Sequence, residues 1–260
     1  VSKIAEVIRR GLEFSAVPGF EPTLLDLYTP DGVTRPPLVV WIHGGGFHSG
    51  DRVGLPGTLS PGSIFGALTA AGFACASIDY RLVPAVSPAD QAADVRTAVR
   101  FLLQRAPRYG YDPERLGVWG ESAGGLHALL AGLTIPQVRA VVAWYPVTDL
   151  AEFLPGGPAE SEQWSALYGV PSEDARRVAV AVSPITHVTD SAPPVLLVHG
   201  DEDAEVPVSQ SLRMHERLLD VGADSTLRIV SGADHCFERH PDVAGLLKES
   251  VDYLGSRLMR

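Results

Sequence analysis

Short runs of consecutive apolar residues, rich in β-branched side chains, recur along the chain: Leu38 to Ile42, Phe73 to Ile78, Leu116 to Trp119, Val138 to Trp144, Val195 to Val198 and Leu227 to Val230. A strand buried on both faces reads as such a run rather than as an alternation. Between the runs lie segments with apolar residues at helical spacing: about Ser63 to Ala71, Pro88 through Phe101 and Leu103, Ala123 to Leu133, Pro207 to Leu219 and Pro241 to Leu258. Pro113 punctuates the approach to the third strand. Strands alternating with helices imply a mostly parallel α/β sheet, because parallel neighbours need a crossover between them. Thr23 to Tyr28 alternates polar and apolar residues and is expected as an antiparallel edge strand.

Two stretches break this rhythm. Residues from about Gly50 to Gly62 are rich in Gly, Pro and Ser, and residues from about Leu150 to Pro184 form a polar insertion with Trp164, Tyr168 and a helical piece near Ser172 to Val182. Long irregular connections are uncommon unless functional or disordered, so segments near 50–62 and 150–184 are expected as lid or substrate-facing elements, with residues near 1–20 in the same class. The pattern forces no split, and residues 1–260 are expected to form one domain around one large core.

The composition, 45% hydrophobic and 20% charged, is that of a globular protein, and the net charge of −10 argues against nucleic acid as a partner. Two cysteines, Cys75 and Cys236, are too few for a disulfide framework and lie at no metal-ligand spacing. No metal or organic cofactor is expected. Cys75 sits in an apolar run as a core thiol, whereas Cys236 beside His235 has a second reading as a nucleophile, without a cysteine-protease pattern around it. No apolar run reaches membrane-spanning length, and the segment Val1 to Glu6 lacks the core of a signal peptide. A cytoplasmic location is expected, with export after removal of a leader as the alternative; the sequence does not indicate an oligomeric state.

The candidate chemistry centres on Gly120-Glu121-Ser122-Ala123-Gly124, which follows an apolar strand and opens a helical segment. That context suits a sharp strand-to-helix turn exposing a nucleophilic serine, Ser122. Serine needs a base, usually histidine held by a carboxylate. After Ser122 come the strand end His199-Gly200-Asp201-Glu202-Asp203 and, past the next strand, Gly232-Ala233-Asp234-His235. Both lie just past strand carboxyl ends, on the rim that carries the elbow, so His235 is the expected base and Asp203 or Asp201 its acid. The run His43-Gly44-Gly45-Gly46-Phe47 also follows a strand, and its glycines let backbone N–H groups approach a substrate oxyanion. Gly45, Gly46 and Ala123 are the expected donors.

His43 to Phe47, Asp79-Tyr80-Arg81-Leu82 with Pro84, Asp112-Pro113-Glu114-Arg115, Gly120 to Gly125, Trp144-Tyr145-Pro146 and His199-Gly200 to Val206-Pro207 together resemble the α/β-hydrolase carboxylesterases related to hormone-sensitive lipase and to the feruloyl and acetyl esterases. The resemblance implies a mostly parallel sheet of about eight strands with helices on both faces. It also selects Asp203, since the acid of that family lies four residues after the histidine of the His-Gly strand end and shortly before a Val-Pro pair. The short segment before the first strand suggests a small cap, as in the compact feruloyl and acetyl esterases. Gly124-Gly125-Leu126-His127 departs from the family, which more often has His before Leu, and His127 carries no expected role.

The expectation is a serine carboxylesterase acting on short-chain acyl esters through an acyl-enzyme. The same machinery cleaves amides, so a peptidase or arylformamidase is the alternative within enzymes. Outside enzymes the alternative is a ligand-binding α/β-hydrolase, for which an intact Ser122, Asp203 and His235 is unfavourable.

Overall fold

The chain is described by a computed structural model covering residues 6–153, 165, 169 and 174–259. An antiparallel pair, β1 (Glu6–Ser15) and β2 (Thr23–Pro30), leads into the strands made by the apolar runs: β3 (Pro37–Ile42), β4 (Ala74–Ile78), β5 (Asp112–Glu121), β6 (Val138–Trp144), β7 (Val195–Gly200) and β8 (Ser225–Val230). They form one eight-stranded sheet in the order β1-β2-β4-β3-β5-β6-β7-β8. Every pairing from β4 to β8 is parallel, and β2 joins β4 antiparallel. The register aligns Ile42 with Gly120, Glu121 with Trp144, and Gly200 with Val230, so the carboxyl ends of β3, β5, β6, β7 and β8 share one rim.

Successive side chains of a strand point to opposite faces, which explains why the central strands are apolar throughout. Leu38, Val40 and Ile42 of β3 pack with α2 (Pro88–Tyr109), α3 (Ala123–Thr134) and α5 (Ser209–Asp220), while Val39 and Trp41 pack with α1 (Ser63–Ala70) and α6 (Val243–Leu258). Helix α2 is delimited by local chemistry: Ser87 and Asp90 form a reciprocal capping box, Pro88 opens the helix, and Gly110 closes it at φ 84°. A third cluster, including Phe47, Leu126 and Leu150 with Ala179 of α4 (Ala175–Val182), lies toward the site. Beneath the rim an aromatic column crosses the sheet, with Trp41 edge-on to Trp119 at 5.7 Å, Trp119 to Trp144 at 5.2 Å and Trp144 to Phe237 at 5.4 Å between ring centroids.

Two expectations are corrected. Thr23 to Tyr28 is antiparallel but not an edge, because β1 covers it. Its alternation misled because Asp26, 1% exposed, is buried among donors, accepting from Gly11 N–H at 2.8 Å, Arg52 Nε at 3.0 Å and Arg10 Nη1 at 3.1 Å. Residues 6–15, expected near the pocket, instead form the outermost strand, with charged exposed positions and a register shift around Gly11 that hid the strand pattern. Residues 1–5 of that segment lie outside the described residues. Of the 150–184 insertion, Leu150–Phe153 is a 3₁₀ turn and α4 takes up the expected helical piece; Trp164 and Tyr168 lie outside the described residues.

Candidate active site

Ser122 sits between β5 and α3 at φ 52° and ψ −120°, a backbone conformation that non-glycine residues rarely adopt. Its N–H donates to Trp144 O at 2.9 Å, tying the turn to β6. The flanking glycines are steric requirements: a Cβ at Gly120 would overlap the Gly124 carbonyl, and one at Gly124 would overlap the carbonyls of Ile42 and His43. Backbone thus meets backbone where β3, β5 and α3 converge.

The three residues expected from separate strand ends come together here. Ser122 Oγ lies 3.1 Å from His235 Nε2, and His235 Nδ1 lies 2.7 Å from Asp203 Oδ2. The carboxylate beside Nδ1 places the proton there, so Nε2 accepts from the serine hydroxyl. Asp203 Oδ1 accepts from the N–H groups of Glu205 and Val206 at 2.9 and 2.8 Å. Burial alone would raise the Asp203 pKa; hydrogen bonds from His199, His235 and Val206 outweigh it and hold the carboxyl well below the usual range. For His235, burial favours the neutral ring, but Asp203, with Glu205 and Glu121 adding charge, shifts it above the ordinary imidazole value. Asp201, the competing acid, instead accepts from Gly232 N–H at 2.6 Å and holds the turn before His235.

The glycine run after β3 faces the elbow across the cleft. Gly45 and Gly46 adopt φ values of 107° and 60°, and the N–H groups of Gly45, Gly46 and Ala123 find no acceptor among the described residues. Unpaired N–H groups beside a serine hydroxyl are suited to a developing oxyanion. The loop is held from below. Glu121 Oε1 accepts from Gly44 N–H at 2.7 Å, Tyr80 Oη donates to His43 O at 2.9 Å, and Gln91 Nε2 donates to Phe47 O at 2.7 Å. His43 stacks on Tyr80 at 4.2 Å, and burial lowers its pKa. His127 lies edge-on to Phe47 and Tyr80, and burial pushes it down to about 3, so it stays a neutral packing element.

Residue-type reasoning passed over Glu121, Tyr80, Gln91 and His199 as supports. The partners of Glu121, Tyr80 and Gln91 are distant in sequence, whereas His199 acts within 4 to 12 residues on Asp203, Val206 and Ser211; the position of Glu121 next to Ser122 and of His199 at its strand end were the available signals. His199 is fully buried: Nδ1 lies 2.7 Å from Ser211 Oγ, and Nε2 lies 2.8 Å from Val206 O and 3.4 Å from Asp203 Oδ2.

Above this constellation is a cleft of about 550 Å³ with apolar walls from Phe47, Leu55, Pro56, Val147, Leu150 and Val206. The 50–62 loop is pinned at both ends of its course. Arg52 N–H donates to Asp79 Oδ1 at 2.8 Å and its guanidinium pairs with Asp26 and Asp79, while Thr58 Oγ1 donates to Cys236 O at 2.8 Å. None of residues 6–20 lines the cleft. Among the described residues no group of His, Cys, Asp and Glu is arranged to hold a metal ion, and no helix is long and apolar enough to cross a membrane.

Known proteins share this architecture. The chain is 31% identical over 234 residues to Esterase LipC of Mycobacterium tuberculosis, covering 83% of this chain and 57% of that protein. It is 28% identical to the isoprenylcysteine alpha-carbonyl methylesterase ICME of Arabidopsis thaliana, covering 85% of this chain and 56% of that one. The chain therefore spans somewhat more than half the length of these relatives. Among solved structures, a truncated carbohydrate esterase from gut microbiota superposes with a TM-score of 0.83 at 23% identity, covering 100% of this chain and 99% of that one. The butyrate-bound Est2 esterase of Thermogutta terrifontis superposes with a TM-score of 0.77 at 24% identity, over 95% of this chain and 93% of that one. The shared architecture is the α/β-hydrolase fold. With the BD-FAE family model matching residues 25–218, from within β2 to within α5, the chain belongs to the BD-FAE family.

Proposed function

We propose that this chain is a serine carboxylesterase that hydrolyses short-chain acyl esters through an acyl-enzyme. The observation that carries the proposal is the unbroken hydrogen-bonded line from Ser122 Oγ through His235 to Asp203, which opens onto the cleft. The names of the related esterases support the same reaction class.

In this reading Ser122 Oγ attacks the ester carbonyl carbon as its proton passes to His235 Nε2, and Asp203 stabilises the resulting imidazolium. The carbonyl π electrons move to oxygen, where the N–H groups of Gly45, Gly46 and Ala123 receive the negative charge, each donor contributing about 3–4 kcal/mol in comparable enzymes. Collapse breaks the bond to the alcohol oxygen, which takes the proton back from Nε2 and leaves. Water, deprotonated by the same nitrogen, then attacks the acyl-enzyme and releases the acid. The apolar wall of Leu55, Pro56 and Val147 offers a surface for the acyl chain.

The test is turnover of p-nitrophenyl acetate and butyrate by the unmodified protein and by Ser122→Ala. A fall of about 10⁴-fold or more in kcat is expected. Unchanged turnover in the variant would remove the proposal, and a chain-length series peaking at long acyl groups would remove its short-chain part.

A further inference from the structure

The acid and base of the candidate site have a neighbour whose carboxylate faces the cleft without a cationic Lys or Arg partner among the described residues. The Glu205 side chain is 75% exposed and lines the cleft, with Oε2 3.9 Å from His235 Nε2. Its backbone N–H supports Asp203, but its carboxylate has no Lys or Arg partner among the described residues. No Lys or Arg among them lines the cleft either. Arg52, Arg213 and Arg239 on flanking segments are engaged by other carboxylates: Asp26 and Asp79, Glu152, and Asp234 with Glu202. The sequence of residues 154–173 contains Glu160, Glu162 and Glu173 and no Lys, Arg or His that could neutralise Glu205.

Position gives this charge its consequence. The departing alcohol oxygen must take its proton from His235 Nε2, so the atoms just beyond that oxygen leave beside the Glu205 carboxylate. A full negative charge a few ångströms away attracts a cation there and repels an anion, and the interaction weakens with salt because the group faces solvent.

We propose that Glu205 makes the leaving-group side of the cleft selective for esters of cationic alcohols, those bearing an ammonium two or three atoms from the ester oxygen, over neutral isosteres and anionic counterparts. The proposal rests on the esterase reading above. Glu205 is a specificity-determining residue in it, acting on the alcohol portion and not on the acyl group.

Three acetates with alcohols of similar size test it: 2-(trimethylammonio)ethyl acetate, 3,3-dimethylbutyl acetate and 2-sulfoethyl acetate, with p-nitrophenyl acetate as the activity reference. At low salt, kcat/KM for the cationic ester is expected to exceed that for its neutral isostere by about threefold to tenfold, with the sulfonate below both. Raising salt from about 10 mM to about 500 mM should compress the series. Glu205→Gln should bring the cation-to-neutral ratio to about one, and Glu205→Lys should invert the order of cation and anion. Both replacements retain the backbone N–H that supports Asp203. Equal rates on all three esters in the unmodified protein, or a ratio unmoved in both variants, would overturn the charge selection while leaving the esterase reading standing. Failure to hydrolyse any of the four esters would overturn both.

Discussion

Glu121 and Gly44, 77 residues apart, are joined by a 2.7 Å hydrogen bond that ties the residue before the candidate nucleophile to the loop expected to hold the oxyanion. Burial pushes the Glu121 carboxyl up, against the opposing influence of the Gly44 N–H and His235. One side chain thus sets the separation between two halves of the site.

Glu121→Ala removes this tie. The expected result is a fall in kcat of about 10- to 100-fold with a smaller change in KM, since the donors are lost to the transition state more than to the substrate. Glu121→Gln keeps an acceptor oxygen and should recover much of the rate. Steady-state kinetics on p-nitrophenyl butyrate decides; full activity in the alanine variant would mean the loop holds its shape unaided.

The His235 and Asp203 shifts predict a pH profile. In the proposed mechanism His235 acts as a neutral base, so kcat/KM should fall as pH drops through a midpoint above the ordinary imidazole value of about 6.5. Asp203→Asn should move that midpoint down and lower kcat by about 10⁴-fold. The stability signs are opposite for the two groups. The raised pKa of His235 contributes stability that is complete below its unfolded value and lost as pH rises through its folded value. The depressed pKa of Asp203 contributes stability present above its unfolded value and lost as pH falls through its folded one. An acid limb with its midpoint below the ordinary imidazole value would contradict the assignment.

His199 is expected to support stability and Asp203 together. His199→Leu strands Ser211 Oγ and the Val206 carbonyl and removes a donor from Asp203, which should destabilise the protein by about 2–4 kcal/mol. Ser211→Ala should cost about 1 kcal/mol. Urea midpoints measure both, and a His199→Leu midpoint indistinguishable from the parent would rule out this role.

Cys236 beside His235 is the alternative nucleophile, and its environment argues against it. Burial pushes the thiol up to about 12, so it stays protonated near neutral pH. A fluorophosphonate should label Ser122 and not Cys236, and Cys236→Ala should keep kcat within about threefold. Adduct mass on the peptide containing Cys236 would reverse the assignment.

The central strands were legible because burial on both faces writes continuous apolar runs, as in Leu38 to Ile42 and Val138 to Trp144. β1 was not, because an outer strand with Arg9 and Arg10 and an irregular register carries no such run. Among site residues, Ser122 and His235 could be read from local motifs. Choosing Asp203 over Asp201 needed the resemblance, since both follow the same strand and only the fold assigns one to His235 and the other to Gly232. The supports Tyr80, Gln91 and Glu121 act across 36 to 77 residues, a separation that local periodicity does not encode.

The aromatic column supplies a built-in optical gauge. Trp41, Trp119 and Trp144 are three of the four tryptophans, all fully buried, and the column ends at Phe237, two residues beyond His235 and edge-on to Tyr145, whose ring lies 4.7 Å from the imidazole. Indole emission and near-ultraviolet dichroism therefore sample the ground on which Ser122 and His235 are placed. A change that loosens the floor of the site while leaving the helices intact will register there before it registers in the far-ultraviolet.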